Sequence, residues 1–259
     1  SARIARRAAD DCMKARPGRR RFVAGSMGPT GISLSLLRDN GAARPAVGFE
    51  ELSSAYRDEA EALLDGGADI LLLETVFDTL NAKAAIYSIL SIFEERGRRW
   101  PVIVSGTIVD RAGRSLSGQT PLAFLASVSH ARPFALGLNC SFGSDALLPD
   151  LEEIAVASPF RVSVHPNAGM PNAEGGYDES PERFAEAIAL FARRTGLNVA
   201  GGCCGTRPAH IAALAAALEG VAPRPLPDRR RSTLRSGLEP LELGPGSLCG
   251  NVGERPNVA

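Results

Sequence analysis

Two adjacent cysteines, Cys203 and Cys204, stand between glycines in Gly201-Gly202-Cys203-Cys204-Gly205. A third, Cys140, follows the apolar run Pro133 to Leu138 in the sequence Leu138-Asn139-Cys140-Ser141. Zinc takes thiolate and imidazole ligands in a tetrahedron, and a catalytic zinc keeps one position for an exchangeable ligand. Three thiolates meet that description. Flanking glycines let the backbone bend so that neighbouring cysteines can both reach one ion. The same pair is badly built for a disulfide: adjacent Cα atoms are about 3.8 Å apart, below the roughly 4.4 Å that relaxed disulfides need. The competing account makes Cys203 and Cys204 small apolar residues after a strand, and their spacing matches no zinc-finger pattern. The chemistry favours one zinc ion shared by Cys140, Cys203 and Cys204 that binds and activates a substrate thiol.

Two further residues stand in suggestive places. Glu74 ends the apolar run Ile70-Leu71-Leu72-Leu73. It either faces a cleft, where it would suit the ammonium group of an amino-acid substrate, or pairs with a buried arginine. Asn167, in Pro166-Asn167-Ala168-Gly169, reads locally as a turn residue. His165 reads as a satisfied core or loop histidine, and His130 and His210 as structural residues in helical patterns. The glycine-rich run from Gly25 to Gly31 lacks the spacing of a Walker A or dinucleotide fingerprint. Cys12 on a helix and Cys249 near the end are expected to bind no metal.

The elements that must position these residues follow one recurring pattern of short apolar run, loop and amphipathic helix. The expected strands are Phe22–Ser26, Asp69–Leu73, Pro101–Thr107, Phe134–Asn139, Arg161–His165 and Leu197–Gly202. They are continuous apolar runs, as expected when both faces of a parallel strand are buried. Between them, Glu50 to Asp65 is helical. Asp78 can cap a helix burying Ala82, Ile86, Ile89, Leu90 and Phe93, and Pro121 opens another. Ser144 and Thr206 are read as helix caps, and Ser180-Pro181 as a cap with proline at the first helical position. Residues 1–16 form a helix with Ile4, Ala8 and Cys12 on one face. Such alternation means βαβ units and a parallel sheet. A doubly wound sheet and a (βα)8 barrel both fit, and the barrel would use about eight strands where six are read here. In this fold class function gathers at the carboxyl ends of strands. Of the residues expected there, Met27, Glu74, Thr107, Cys140, Asn167, Cys203 and Cys204, three are cysteines, from five in the whole chain.

Composition narrows the class. The chain has 259 residues, is 44% hydrophobic and carries no formal net charge. It can bury a sizeable core, and it lacks the bulk charge that holds nucleic acid or an anionic membrane. No stretch approaches the roughly 20 apolar residues of a membrane span, and the opening residues do not read as a signal peptide. Five cysteines at uneven spacing are not a disulfide scaffold. A reducing cytoplasm is the expected home.

Five segments together resemble the homocysteine S-methyltransferase family, and within it the homocysteine-binding domain of cobalamin-dependent methionine synthases. They are Gly25–Thr30, Asp69–Thr75, Gly137–Ser141, Pro166–Asn172 and Gly201–Gly205. The resemblance implies a (βα)8 TIM-type barrel, here lacking its first two strands, since the family's Asp-Gly motif has no counterpart. It implies a zinc site of Cys140, Cys203 and Cys204, with the Asn167 side-chain oxygen as a fourth ligand that homocysteine displaces. It makes Glu74 the contact to the substrate amino group. It divides the chain into a barrel over 1–219, a linker over 220–246, and the start of a folate-binding-type domain over 247–259, where Asn251 to Val258 resembles that domain's first strand. Cobalamin would be carried by another domain of the full-length protein. The tail sets this reading ahead of relatives that take methyl groups from betaine or S-methylmethionine. A zinc-stabilised structural domain and an inactive truncated fragment are the remaining alternatives.

Overall fold

The computed structural model describes residues 1–36, 47–110, 112–227 and 233–244. The expected tail strand at 251–258 lies outside them. Six strands, β1 (Ala24–Met27), β2 (Ile70–Val76), β3 (Val102–Gly106), β4 (Ala135–Gly143), β5 (Arg161–Asn167) and β6 (Val199–Ala200), form one sheet. Every neighbouring pair is parallel, and the strands stand in sequence order from β1 to β6. A doubly wound sheet reverses direction at a switch point; this one never does, so the arrangement is that of a partial TIM-type barrel.

Helices fill the crossovers: α2 (Phe49–Asp65), α3 (Thr79–Glu95), α4 (Pro121–Val128), α5 (Ser144–Ala157) and α6 (Pro181–Arg194). They follow α1 (Ala2–Ala15) and precede α7 (Pro208–Ala217). Alternate strand residues set the two faces. Leu71, Leu73, Val104, Leu136, Leu138, Val162 and Val164 are buried in the core with Ile89, Phe124, Leu147, Leu151 and Phe184 from the helices. Gly106 shows the fit on this side, since a Cβ there would stand 2.9 Å from the Phe124 ring. The opposite row carries Ser26, Glu74, Ser105, Asn139, Ser163 and His165, the polar residues of the barrel interior.

Several local expectations are corrected. The Ser144 hydroxyl bonds Glu179 Oε1 at 2.9 Å, and Gly143 takes the cap position of α5. Thr206 Oγ1 bonds the Cys203 carbonyl at 2.7 Å, and Arg207 precedes α7 as its cap. Ile4, on the expected apolar face of α1, is exposed. That helix docks instead through Arg6, whose guanidinium meets Asp69 at 2.7 Å. The stretch 220–246, expected as a linker, contains an antiparallel hairpin, β7 (Thr233–Ser236) and β8 (Pro240–Leu243). It is held to the start of α4 by Gln119 Nε2 to Gly237 O at 2.8 Å and Thr120 N to Leu238 O at 3.1 Å. Among the described residues no helix is long and apolar enough to cross a membrane.

Candidate metal centre

The end of β4 is bent to deliver Cys140. Its register with β5 shifts between Cys140 and Gly143. Cys140 and Ser141 both take φ of 62°, the left-handed region that side chains avoid. Such backbone costs on the order of 1–3 kcal/mol per residue and persists only where the surroundings hold it. Ser141 supplies that hold. Its hydroxyl lies 2.6 Å from Thr107 Oγ1 and also bonds the Ile108 carbonyl.

The other two thiols sit on the loop after β6. That strand is only two residues long because Pro166 of β5 has no N–H to continue the ladder, although the backbone that follows still bonds β5. Cys203 N donates to Pro166 O at 2.8 Å, and Cys204 O accepts from Ala168 N at 2.9 Å. The loop therefore docks on the end of β5. Its glycines have steric causes. A Cβ on Gly202 would lie 2.2 Å from Thr206 Cγ2. Gly205 has φ of 77° and lies flat against Tyr177, whose Cβ would be 2.3 Å from an added methyl.

The three sulfurs converge. Cys140 Sγ is 3.8 Å from Cys204 Sγ, and Cys203 Sγ is 3.9 Å from Cys204 Sγ. All three lie within 4.8 Å of one another. Four sulfurs about 2.3 Å from a tetrahedral zinc stand about 3.8 Å apart, so the donor set and its spacing suit that ion. The electrostatics call for a cation. Hydrogen bonding from Cys203, then the Ser141 amide, Cys204 and Asn167, pulls the Cys140 thiol down to about 5 against the opposing effect of burial. Cys203 is pushed upward, first by its bond to the Cys140 sulfur and then by burial. The cluster thus ionises once with ease and resists a second charge unless a cation arrives.

Asn167 is 3% exposed, and its Oδ1 accepts from Cys204 N at 3.1 Å. Its side chain also helps hold the Cys140 thiol below its usual range, so it acts on two members of the cluster. Glu74 lies on the interior face, bonded by the Ser26 hydroxyl, with Asn139 Nδ2 at 3.2 Å from Oε2. The same Nδ2 lies 3.9 Å from Cys203 Sγ. The buried side chain of Asn139 therefore joins carboxylate and thiols, a role its place before Cys140 did not disclose. His165 lines the interior beside Gly201, and burial lowers its pKa, which keeps the ring neutral. Cys12 lies on α1 and is not part of the three-cysteine cluster. The glycine-rich segment after β1 leads to Ser33 and Ser35, which both bond the Asp78 cap of α3, at 2.5 and 2.7 Å. The Asp78 carboxylate thus occupies that helix start, accepting also from Leu80 N.

The family profile for homocysteine S-methyltransferases matches residues 1–218. The chain belongs to the homocysteine S-methyltransferase family. Its fold is similar to the homocysteine methyltransferase MmuM from Escherichia coli in the apo form, at 26% identity and a TM-score of 0.65. That match covers 84% of this chain and 70% of the other. The metallated form of the same enzyme matches at 26% identity and a TM-score of 0.64, over 83% and 68% of the two chains. The residue beside the cysteine pair that sequence reasoning missed is Tyr177, packed on Gly205. It lies ten positions past Asn167 in a polar, glycine-containing loop. Its place against Gly205 follows from a turn closed by Asn172, whose Oδ1 accepts from Gly176 N at 2.7 Å.

Proposed function

We propose that Cys140, Cys203 and Cys204 hold a zinc ion that activates the thiol of homocysteine for methyl transfer, giving methionine. The observation that carries this reading is the convergence of the three sulfurs at tetrahedral spacing. Bound zinc would supply Lewis acidity, favouring the thiolate of a substrate whose free thiol has a pKa of about 8.5. Glu74, oriented by Ser26 and Asn139, receives the substrate ammonium group. Asn167 serves as the exchangeable fourth ligand; its oxygen already lies at the cluster edge. The substrate sulfur attacks the methyl carbon as the bond to the donor breaks, and the leaving group keeps that electron pair. We assign methylcobalamin, carried by another domain of a methionine synthase, as the donor. Support is the likeness of Asn251 to Val258, outside the described residues, to the start of a folate-binding domain. The reading includes a cytoplasmic setting and an eight-stranded barrel, of which these six sequential strands carry the thiols.

The test is zinc analysis combined with homocysteine titration in weakly buffered solution. We expect one zinc per chain and release of about one proton per homocysteine bound. Zinc-free protein, or zinc indifferent to homocysteine, overturns the reading. Product assays with methylcobalamin, betaine and S-methylmethionine separate the donors.

A further inference from the structure

The chain runs directly from Glu74 through Asp78, the cap of α3, to Asn81 in that helix's first turn. Both anchors are buried, at 1% and 5% exposure. Capping uses little of them: Asp78 Oδ1 accepts from Leu80 N at 2.8 Å. Their remaining polar atoms face the loop after β1, of which residues 28–36 are described. The Asp78 carboxylate accepts from Ser35 N at 2.9 Å, Ser35 Oγ at 2.7 Å and Ser33 Oγ at 2.5 Å. Asn81 Oδ1 accepts from Leu34 N at 2.9 Å, and its Nδ2 donates to Ile32 O at 2.6 Å. A helix start needs none of these bonds. They exist to hold the loop.

The near end of that loop borders Glu74. The Ser26 hydroxyl bonds the Glu74 carboxylate. Beyond it, Pro29 lines one small cavity together with Glu74, Tyr56, Phe77 and Asn81. The Tyr56 hydroxyl, from α2, donates to Gly28 O at 3.4 Å and pins the same turn from the other side. A buried carboxylate is costly unless its oxygens are hydrogen-bonded, and charge-assisted bonds are the strong ones. The loop is therefore fixed in one arrangement before any substrate arrives, and a preformed wall spares the cost of ordering it on binding.

We propose that Asp78 and Asn81 are positioning residues for the amino-group site: they clamp the loop after β1 so that Pro29 walls the space at Glu74 and the carboxylate meets an ammonium group in place of bulk water. The inference rests on the role given to Glu74 above. Two variants leave the bond from Leu80 N to Asp78 intact: Asn81→Ala, and Ser33→Ala combined with Ser35→Ala. Calorimetry on the zinc-loaded full chain compares homocysteine with γ-mercaptobutyrate, which keeps the thiol and carboxylate and lacks the amino group. Each variant should bind homocysteine about tenfold more weakly, the net worth of about one hydrogen bond. Affinity for γ-mercaptobutyrate and zinc content should not change. Equal weakening of both ligands would mean general loosening and overturn the proposal, as would full homocysteine affinity in both variants. A second readout needs no substrate. Carboxyl labelling with a carbodiimide and glycinamide, followed by peptide mass spectrometry, should modify Glu74 several-fold faster in both variants and leave the rate at exposed Glu186 of α6 unchanged. An unchanged Glu74 rate overturns the proposal. Failure of wild type to bind zinc or homocysteine would defeat the proposed function, and the labelling would still decide this inference.

Discussion

Asn139 grips Thr75 twice across the sheet: its Oδ1 accepts from Thr75 N at 2.9 Å, and its Nδ2 donates to Thr75 Oγ1 at 2.8 Å. Thr75 has φ of 54°, and the β2–β3 register shifts between Leu73 and Val76. The asparagine therefore holds a strained bulge that turns Glu74 inward. Asn139→Ala should cost about 1–3 kcal/mol in urea unfolding, because a backbone donor loses its partner. Zinc content should stay near wild type while homocysteine binding weakens about tenfold by calorimetry. Unaltered affinity would mean that Glu74 needs no such support.

Removing one thiol breaks the cluster at its entry from β4. Cys140→Ser should bring zinc well below one per chain after dialysis against a weak chelator, by elemental analysis. Near-stoichiometric zinc in that variant would count against the three-sulfur site.

Gly205 and Gly220 make a controlled pair. Both have positive φ, 77° and 73°, so an alanine at either costs about 1 kcal/mol of backbone strain. Only at Gly205 does the new methyl collide, with the Tyr177 side chain at 2.3 Å; around Gly220 there is nothing within 4 Å. Gly205→Ala should weaken zinc retention and lower the melting temperature by several degrees more than Gly220→Ala.

Asp150 gives a pH-dependent prediction away from the site. Burial first, then Glu153 and Asp110, raises its pKa from 3.8 to about 6. The unfolded chain releases this proton more readily, so folding loses stability as pH rises from about 4 through 6. Asp150→Asn removes that loss. Since the group is half exposed, solvent screening limits the gain to about 1 kcal/mol. The variant should melt higher than wild type at pH 7 and match it at pH 3. A gain of equal size at both pH values would point to a cause other than charge.

Much of the architecture was legible because β3 and the first half of β4 are buried on both faces and β2 on one, and apolar runs such as Val102 to Val104 and Ala135 to Leu138 record that directly. What escaped was set by hydrogen bonds that leave no pattern in residue type. Thr206 and Ser144 carry the right hydroxyls for helix caps, yet both are drawn to Cys203 O and Glu179 by tertiary contacts. β6 reads longer than it is, because the apolar run continues while the ladder stops opposite Pro166, which has no N–H to give. The β7–β8 hairpin is invisible for the same reason: Leu238, Leu241 and Leu243 are exposed, and its attachment runs through the Gly237 and Leu238 carbonyls and the polar side chains of Ser236 and Glu239. In the site, cysteine type and strand-end position marked the thiols. Asn139 had no such signature, since it acts through Glu74 and Thr75.

The thiols also have a consequence for the chain as a polymer. Cys140 and Cys204 are 64 residues apart in sequence, and all of β5 and α6 lies between them. An ion gripping both sulfurs closes that segment into a ring, as a covalent cross-link would. By the loop-entropy estimate used for disulfides, a closure of this span is worth about 4 kcal/mol against the unfolded chain. Such a restraint would act on β6, whose ladder to β5 is only two residues long. The ion that prepares the nucleophile would then also fasten the far edge of the sheet, and a chelator should loosen residues 197–205 before it unfolds anything else.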